Sequence, residues 1–305
     1  MTQKLSPMTE HPIFEKFSAY SGPVPEGCQI DYLGTRMRCE FVARAAPSPS
    51  QVQMPCPPVD EEYFEWIDIL ESVSQARDSY TMMELGAGYG RWAARAAAAA
   101  RQRGIQKCHL IAVEGEPLHF KWLQQHFRTN DLDPAEHTLV EAVVSDQPGT
   151  ALFCVGRPEG GEDRADQFYG QWIRESRDKP RNKGHELYEG IPIVELKSGW
   201  KSIEVPAVTL THLLRDLDRV DLIDMDVQGE ELKIVRSAID DLDRTVCRLH
   251  IGTHAPHLEK GLRLALGSHG WICHFDYPSQ SATETEYGPV RFGDGVQSWT
   301  NPRFK

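Results

Sequence analysis

Six ionisable residues and one glycine-rich turn carry the chemistry this chain could do. Glu84 stands two residues before glycines at 86, 88 and 90, where the apolar run Tyr80 to Leu85 meets an alanine-rich helix from Arg91 to Arg103. Glycines in such a turn let backbone approach a nucleotide-like ligand, and the helix that follows offers free N–H groups. Glu114 closes the apolar run that begins at His109, 24 residues past Gly90. That is near the ~20 expected for a carboxylate binding ribose hydroxyls, and a carboxylate can accept two hydrogen bonds from a vicinal diol. The alternative role for Glu114 is capping a helix that starts near Pro117. Asp226 ends a third apolar run, and His250 and His254 bracket the end of a fourth. An acid or imidazole beside a reacting hydroxyl can take its proton, so these three residues are the candidate catalytic groups. Asp224 and Asp226 lie two apart, which on a strand puts both on one face and would suit a hard dication. The alternative is that one acid caps the following helix and the other bonds to backbone, and no metal is expected.

The elements that must position these groups follow a βα rhythm. Asp60 reads as the N-cap of a helix with the apolar stripe Tyr63, Phe64, Ile67, Leu70 and Val73. Tyr63 and Trp66 on it are candidates to touch a ligand, or else core. Strands follow at 80–85, 109–114, near 137–144 and at 150–155. Helices follow at 91–103 and 117–130. Between Gly156 and Lys201 the rhythm breaks. That stretch holds Gly160-Gly161, the aromatic and amide side chains Phe168, Tyr169, Gln171 and Trp172, and the basic cluster Arg174, Arg177, Lys179, Arg181 and Lys183. A long irregular insertion is usually functional or disordered, and it is read here as a lid or substrate segment. The rhythm resumes with strands at 202–208, 220–225 and 245–251 and helices at 209–217, 230–238 and 256–269. Final strands are expected at 271–277 and near 290–299. Residues 1–58 read as an N-terminal extension, with a hairpin hinted by Ile30, Tyr32, Met37, Cys39 and Phe41, then a linker from Ala45 to Pro58 with five prolines.

Two stretches together resemble a known family. The turn Glu84-Leu85-Gly86-Ala87-Gly88-Tyr89-Gly90 is acidic-x-G-x-G-x-G. It differs from the dinucleotide G-x-G-x-x-G, whose third glycine position is here Arg91. It resembles motif I of the class I S-adenosylmethionine (AdoMet) methyltransferases. The stretch Val220 to Leu232, with Asp224-Met225-Asp226-Val227-Gln228-Gly229-Glu230-Glu231, resembles the K-I-D-x-E-G-x-E signature of the FkbM-type methyltransferases. Val205 to Leu210 resembles that signature's lead-in, and Arg248 to His254 the end of the next strand. The resemblance spans about Asp60 to Tyr277. It departs from the family where Asp224 replaces a common lysine and Gln228 a common glutamate, which puts roles assigned by analogy at both positions in doubt.

The resemblance implies a Rossmann-like, doubly wound, mostly parallel seven-stranded sheet with a late antiparallel strand, carrying the N-terminal extension and the insertion. It implies AdoMet as cofactor, held by Glu84, Gly86, Ala87, Gly88, Gly90, Glu114 and Asp226, with adenine contacts from Ala142, Val143 and Ser145. It implies methyl transfer, expected to a hydroxyl oxygen of a small molecule or sugar-containing acceptor. Two other readings remain: a non-catalytic AdoMet-binding protein that uses the insertion for partner contact, and a dinucleotide oxidoreductase. The glycine spacing argues against the second of these.

Composition sets bounds on partners and location. The 305 residues carry 33 Lys and Arg against 45 Asp and Glu, a net charge of −12. That argues against a broad nucleic-acid surface. No run approaches the ~20 apolar residues of a membrane span, and Met1 to Pro7 lacks the apolar core of a secretory signal. Seven scattered cysteines form neither a disulfide framework nor a C-x-x-C pattern, so a cytoplasmic location is expected.

Overall fold

The computed structural model describes residues 10–42, 45–156, 171–174 and 179–304, with the backbone alone at 156 and 182–185. The central sheet has seven strands: β1 (Ser79–Leu85), β2 (Lys107–Glu114), β3 (Thr138–Glu141), β4 (Leu222–Met225), β5 (Arg248–Thr253), β6 (Ile272–Tyr277) and β7 (Gly295–Thr300). Their spatial order is β6-β7-β5-β4-β1-β2-β3. Neighbours from β5 to β3 run parallel, while β7 is antiparallel to both β5 and β6. The chain has the Rossmann-like, doubly wound, mostly parallel seven-stranded arrangement with a late antiparallel strand that was expected from its sequence. Because the order reverses between β1 and β4, the crevice for a ligand lies at their carboxyl ends.

Helices cover both faces. α1 (Glu62–Gln75), α2 (Arg91–Gln102) and α3 (Pro117–Thr129) pack on one side. α4 (Leu210–Leu214), α5 (Glu231–Ser237), α6 (Ile239–Thr245) and α7 (Pro256–Ser268) belong to the other. Met82 and Met83 divide accordingly, Met82 into the first core and Met83 into the second. A strand buried on both faces reads as a continuous apolar run, which is why these segments stood out. The Thr245–Ile251 expectation falls three residues early. Thr245 ends α6, a short helix the sequence reading did not separate, and β5 starts at Arg248.

The interrupted region is built differently from the expectation. Gly149–Gly156, Pro180–Tyr188, Ile191–Leu196 and Lys201–Val208 form a second, largely antiparallel sheet, joined in parallel to Val143–Val144. It has its own core of Val143, Phe153, Val155, Ile193, Ile203, Val205 and Ala207. Segment 202–208 therefore belongs to this sheet. Gly160, Gly161, Phe168, Tyr169 and Arg177 lie outside the described residues, as does the Lys183 side chain.

The N-terminal residues are tied to the domain. Cys28–Ile30 and Arg36–Arg38 pair as the hairpin that the alternating residues predicted. The proline-rich stretch is not all linker, because Gln51–Gln53 pairs with Ser21–Pro23. Phe14, Tyr32 and Leu33 enter the α1–α2 core, and Arg95 of α2 pairs with Asp31 at 2.9 Å. Among the described residues no helix is long and apolar enough to cross a membrane.

The β1 turn is fixed by close contact with β4. Gly86 has φ +79°, and a Cβ there would lie 1.9 Å from the Asp226 carbonyl oxygen. Gly104 has a similar φ of +74° but nothing within 4 Å of its Cβ position. Gly104→Ala should cost about 1–2 kcal/mol, the left-handed penalty alone. Gly86→Ala should cost about 3–4 kcal/mol, because backbone must also move. Denaturant unfolding compares the two, and equal losses would show that the close approach contributes nothing.

Candidate active site

A cavity of about 250 Å³ opens at the carboxyl edge of β1, β2, β4 and β5. Its lining includes Glu84, Gly86, Ala87, Gly88, Glu114, Ala142, Val143, Asp224, Asp226 and His250 from the sequence reading, and also Glu61, Glu62, Glu65, Arg91, His119 and Asp294. Gln171 and Ile173 reach it from the interrupted region. Gly90, His254 and Ser145 are not among the lining residues. Gly90 faces α3 instead, since a Cβ on it would meet Leu123 Cδ1 at 2.3 Å. The Ser145 N–H bonds the Val208 carbonyl of the second sheet. Tyr63 and Trp66 are core residues, and α1 presents Glu61, Glu62 and Glu65 to the cavity in their place.

The two acids of the glycine-turn region differ in what they hold. Trp92 and Ala93 N–H donate to Glu84 at 3.2 and 2.9 Å, so Glu84 closes the first turn of α2. Glu114 does not cap α3. Glu116 does that, accepting from Leu118 and His119 N–H. Glu114 accepts from Gly88 N–H at 2.6 Å and Glu116 N–H at 2.7 Å, one bond to each oxygen. Each oxygen has a second lone pair, so two further donors can be accommodated. Burial pushes both pKa values up to about 8, against the lowering effect of those backbone bonds.

A buried polar row crosses the sheet beside this turn. Glu84, Asp224, His250 and Ser298 are register neighbours on β1, β4, β5 and β7. Helix α1 lies over them and supplies Asp68, which is wholly buried. Asp68 accepts from Arg248 Nη1 at 2.6 Å, from Ser298 Oγ at 2.6 Å and contacts His250 Nδ1 at 2.8 Å. Burial alone would raise the Asp68 pKa; the His250 hydrogen bond and the two cations hold it below the usual range. Burial would lower that of His250, but Asp68, and then Asp224 and Asp226, raise it instead. Asp224, raised by burial to about 6, shares a hydrogen bond with Glu65, whose pKa burial and Asp224 push well above normal. Asp68 and Glu65 were not singled out in the sequence, where α1 reads as a core stripe.

The three proposed catalytic residues divide between two clusters. His254 Nε2 is 3.2 Å from Asp226 Oδ1 and 3.6 Å from Asp294 Oδ1, while its Nδ1 is 2.8 Å from Glu231 Oε1. Burial opposes its charge, but Asp226 and Glu231 outweigh it and raise the pKa to about 10. Asp226 is half exposed and is also bonded by Gln228 Nε2 at 2.8 Å; burial would raise its pKa, and His254 holds it low. His250 instead joins Glu65 and Asp224, the three offering ligand atoms within 4.8 Å of one another. Asp224 and Asp226 thus serve different clusters, because β4 ends at Met225 between them.

The chain is similar in sequence to known proteins. A curated relative from Jannaschia sp. (strain CCS1), provisionally named a methyltransferase, is 27% identical over 291 residues, covering 94% of this chain and 97% of its own. Among solved structures, the precorrin-6y C5,15-methyltransferase of Geobacter metallireducens GS-15 is 15% identical with a TM-score of 0.38, covering 76% of this chain and 86% of its own. The methyltransferase FkbM of Methylobacillus flagellatus KT is 12% identical with a TM-score of 0.40, covering 74% and 45%. The family described as the methyltransferase FkbM domain matches residues 84–277, the segment that holds the glycine turn, Glu114 and the Asp224–Asp226 strand end. The chain therefore belongs to the FkbM methyltransferase family.

Proposed function

We propose that this chain is an AdoMet-dependent methyltransferase acting on a hydroxyl oxygen of a small-molecule or glycan-type acceptor. The observation that carries the reading is Glu114. It is buried at the cavity wall, excused from helix capping by Glu116, and has acceptor capacity to spare. The remaining lining fits a cationic nucleoside ligand: acids outnumber basic groups around the cavity, and the Ala142–Val144 wall is apolar. Gly86, Ala87 and Gly88 would border its amino-acid part, Glu114 its ribose and Ala142 and Val143 its base. When bound, AdoMet supplies an electrophilic methyl group on a leaving thioether.

The chain's own work is then to hold the acceptor and receive its proton. His254 is set aside as the base, because a pKa near 10 keeps it charged at neutral pH. Its role is to keep Asp226 ionised, and Asp226 is the proposed proton acceptor. The described stretch 171–174 of the interrupted region, through Gln171 and Ile173, supports its reading as the acceptor-facing segment. The net charge of −12 supports a partner other than nucleic acid. All seven cysteines are free, which supports a reducing, cytoplasmic setting.

Two measurements test this reading. Ribose hydroxyls donate best to a carboxylate, whereas Glu114 in the ligand-free protein holds its proton up to about pH 8. Binding should therefore release a proton at pH 7, and affinity should rise with pH until about 8. Calorimetry in buffers of different ionisation enthalpy reads the release. Glu114→Ala should abolish it and cost about 1–3 kcal/mol of AdoMet binding. Wild-type affinity in that variant would remove the ribose assignment.

The second concerns His254. Its folded pKa lies above the unfolded value, so its contribution is full below about 6.5 and is lost as pH rises from there to about 10. With Asp226 half exposed, solvent screening reduces the size to on the order of 2–3 kcal/mol. Thermal unfolding of His254→Gln should be flatter than wild type across that window. Parallel curves would mean the histidine is not held charged, and would return it to the candidate bases.

A further inference from the structure

Beyond the Asp226 carboxylate, the polar row brings three further side chains to the cavity wall. Glu65, Asp224 and His250 place one ligand atom each within 4.8 Å of one another. Asp224 and His250 are side by side in register on parallel strands, and Glu65 reaches them from α1. His250 is 4% exposed, and its Nδ1 is engaged by Asp68. Its Nε2 has no hydrogen bond among the described residues. A carboxylate on one imidazole nitrogen, fixing the tautomer and turning the other nitrogen toward two further acids, is the outer-shell arrangement of metal-binding histidines. Resting on the methyltransferase reading above for its catalytic meaning, we propose that Glu65, Asp224 and His250 bind a divalent transition metal of the zinc, manganese or cobalt type.

The charge balance separates this cluster from its neighbour. Asp226 and Asp294 already share the His254 cation. The His250 charge partner is Asp68, outside the cluster, and Arg91 is paired with Glu62 at 2.8 Å. The Glu65 and Asp224 carboxyls face each other and share a hydrogen bond, whose proton a dication would displace. Two oxygens and one nitrogen are a mixed set suited to such ions, and only three protein ligands leave positions open. A hydroxyl oxygen in an open position loses its proton more readily, and Asp226 on the same cavity is placed to take it.

Cobalt(II) is the probe, because its visible absorption reports ligand number and needs neither AdoMet nor an acceptor. Wild-type protein should bind one equivalent with a spectrum distinct from the aquo ion. Glu65→Gln, on the half-buried rim and least disruptive to folding, should weaken binding, as should Asp224→Asn and His250→Gln. Asp68→Asn keeps all three ligands and should still cost ~10–100-fold in affinity through the imidazole's orientation. His254→Gln should leave cobalt binding unchanged. No binding by wild type, or binding that survives Glu65→Gln and Asp224→Asn, overturns the proposal. Binding lost only in His254→Gln also overturns it, by moving the ion to the Asp226–His254–Asp294 cluster. AdoMet calorimetry on the same samples keeps the two readings apart. AdoMet binding without cobalt binding sinks the metal alone, and cobalt binding without AdoMet binding sinks the methyltransferase reading alone.

Discussion

The buried carboxylate of Asp68 is the constraint on which this cavity depends. A charge with no exposed surface is tolerated only when its oxygens are fully engaged. Here a guanidinium, an imidazole and a hydroxyl engage them, from Arg248, His250 and Ser298. These partners sit on β5 and β7, whereas Asp68 sits on α1. One residue therefore fixes the helix over the sheet edge, and Glu65, one turn earlier on the same helix, is brought to Asp224. Arg248 also reaches Glu71 at 2.6 Å, one turn later, so the clamp extends along the helix. The cavity wall from α1 and the polar row beneath it are consequences of that buried network.

The other half of the cavity rests on backbone. Gly86 and Ala87 N–H donate to the Val113 carbonyl, and Asp226 N–H donates to that of Leu85. These bonds tie the ends of β1, β2 and β4 together, and the left-handed conformation at Gly86 lets the turn pass against Asp226. Glu84 serves the start of α2, and Glu116 serves α3. With both helix starts satisfied, Glu114 remains as an acid whose bonds leave capacity toward the cavity. The division of labour among three glutamates on adjacent elements is what gives the site a diol-binding candidate.

What could be read in the sequence was local. The glycine turn, the apolar strands buried on both faces, and Glu114 all follow from patterns within about 30 residues. The Asp226 strand end was legible for the same reason. Asp68 was not, because its partners lie 180, 182 and 230 residues away and nothing near it marks it as polar core. The split between Asp224 and Asp226 was missed because the i, i+2 rule assumes a strand that continues, and β4 stops between them. Gly90 was read as a ligand contact because it completes the motif, whereas its space is taken by Leu123 and Phe127. Two strands of the second sheet, near 150–155 and 202–208, were legible, whereas Pro180–Tyr188 and Ile191–Leu196 were missed because they carry a glycine, prolines and charges, with register irregularities in the first.

The measurement that bears most directly on the account is a crystal structure with S-adenosylhomocysteine diffused in. The account predicts the ribose hydroxyls within hydrogen-bond distance of Glu114, the base against Ala142 and Val143, and the sulfur turned toward the Asp224, Asp226 and His250 end of the cavity. A nucleoside bound elsewhere, or one whose ribose leaves Glu114 untouched, would contradict it.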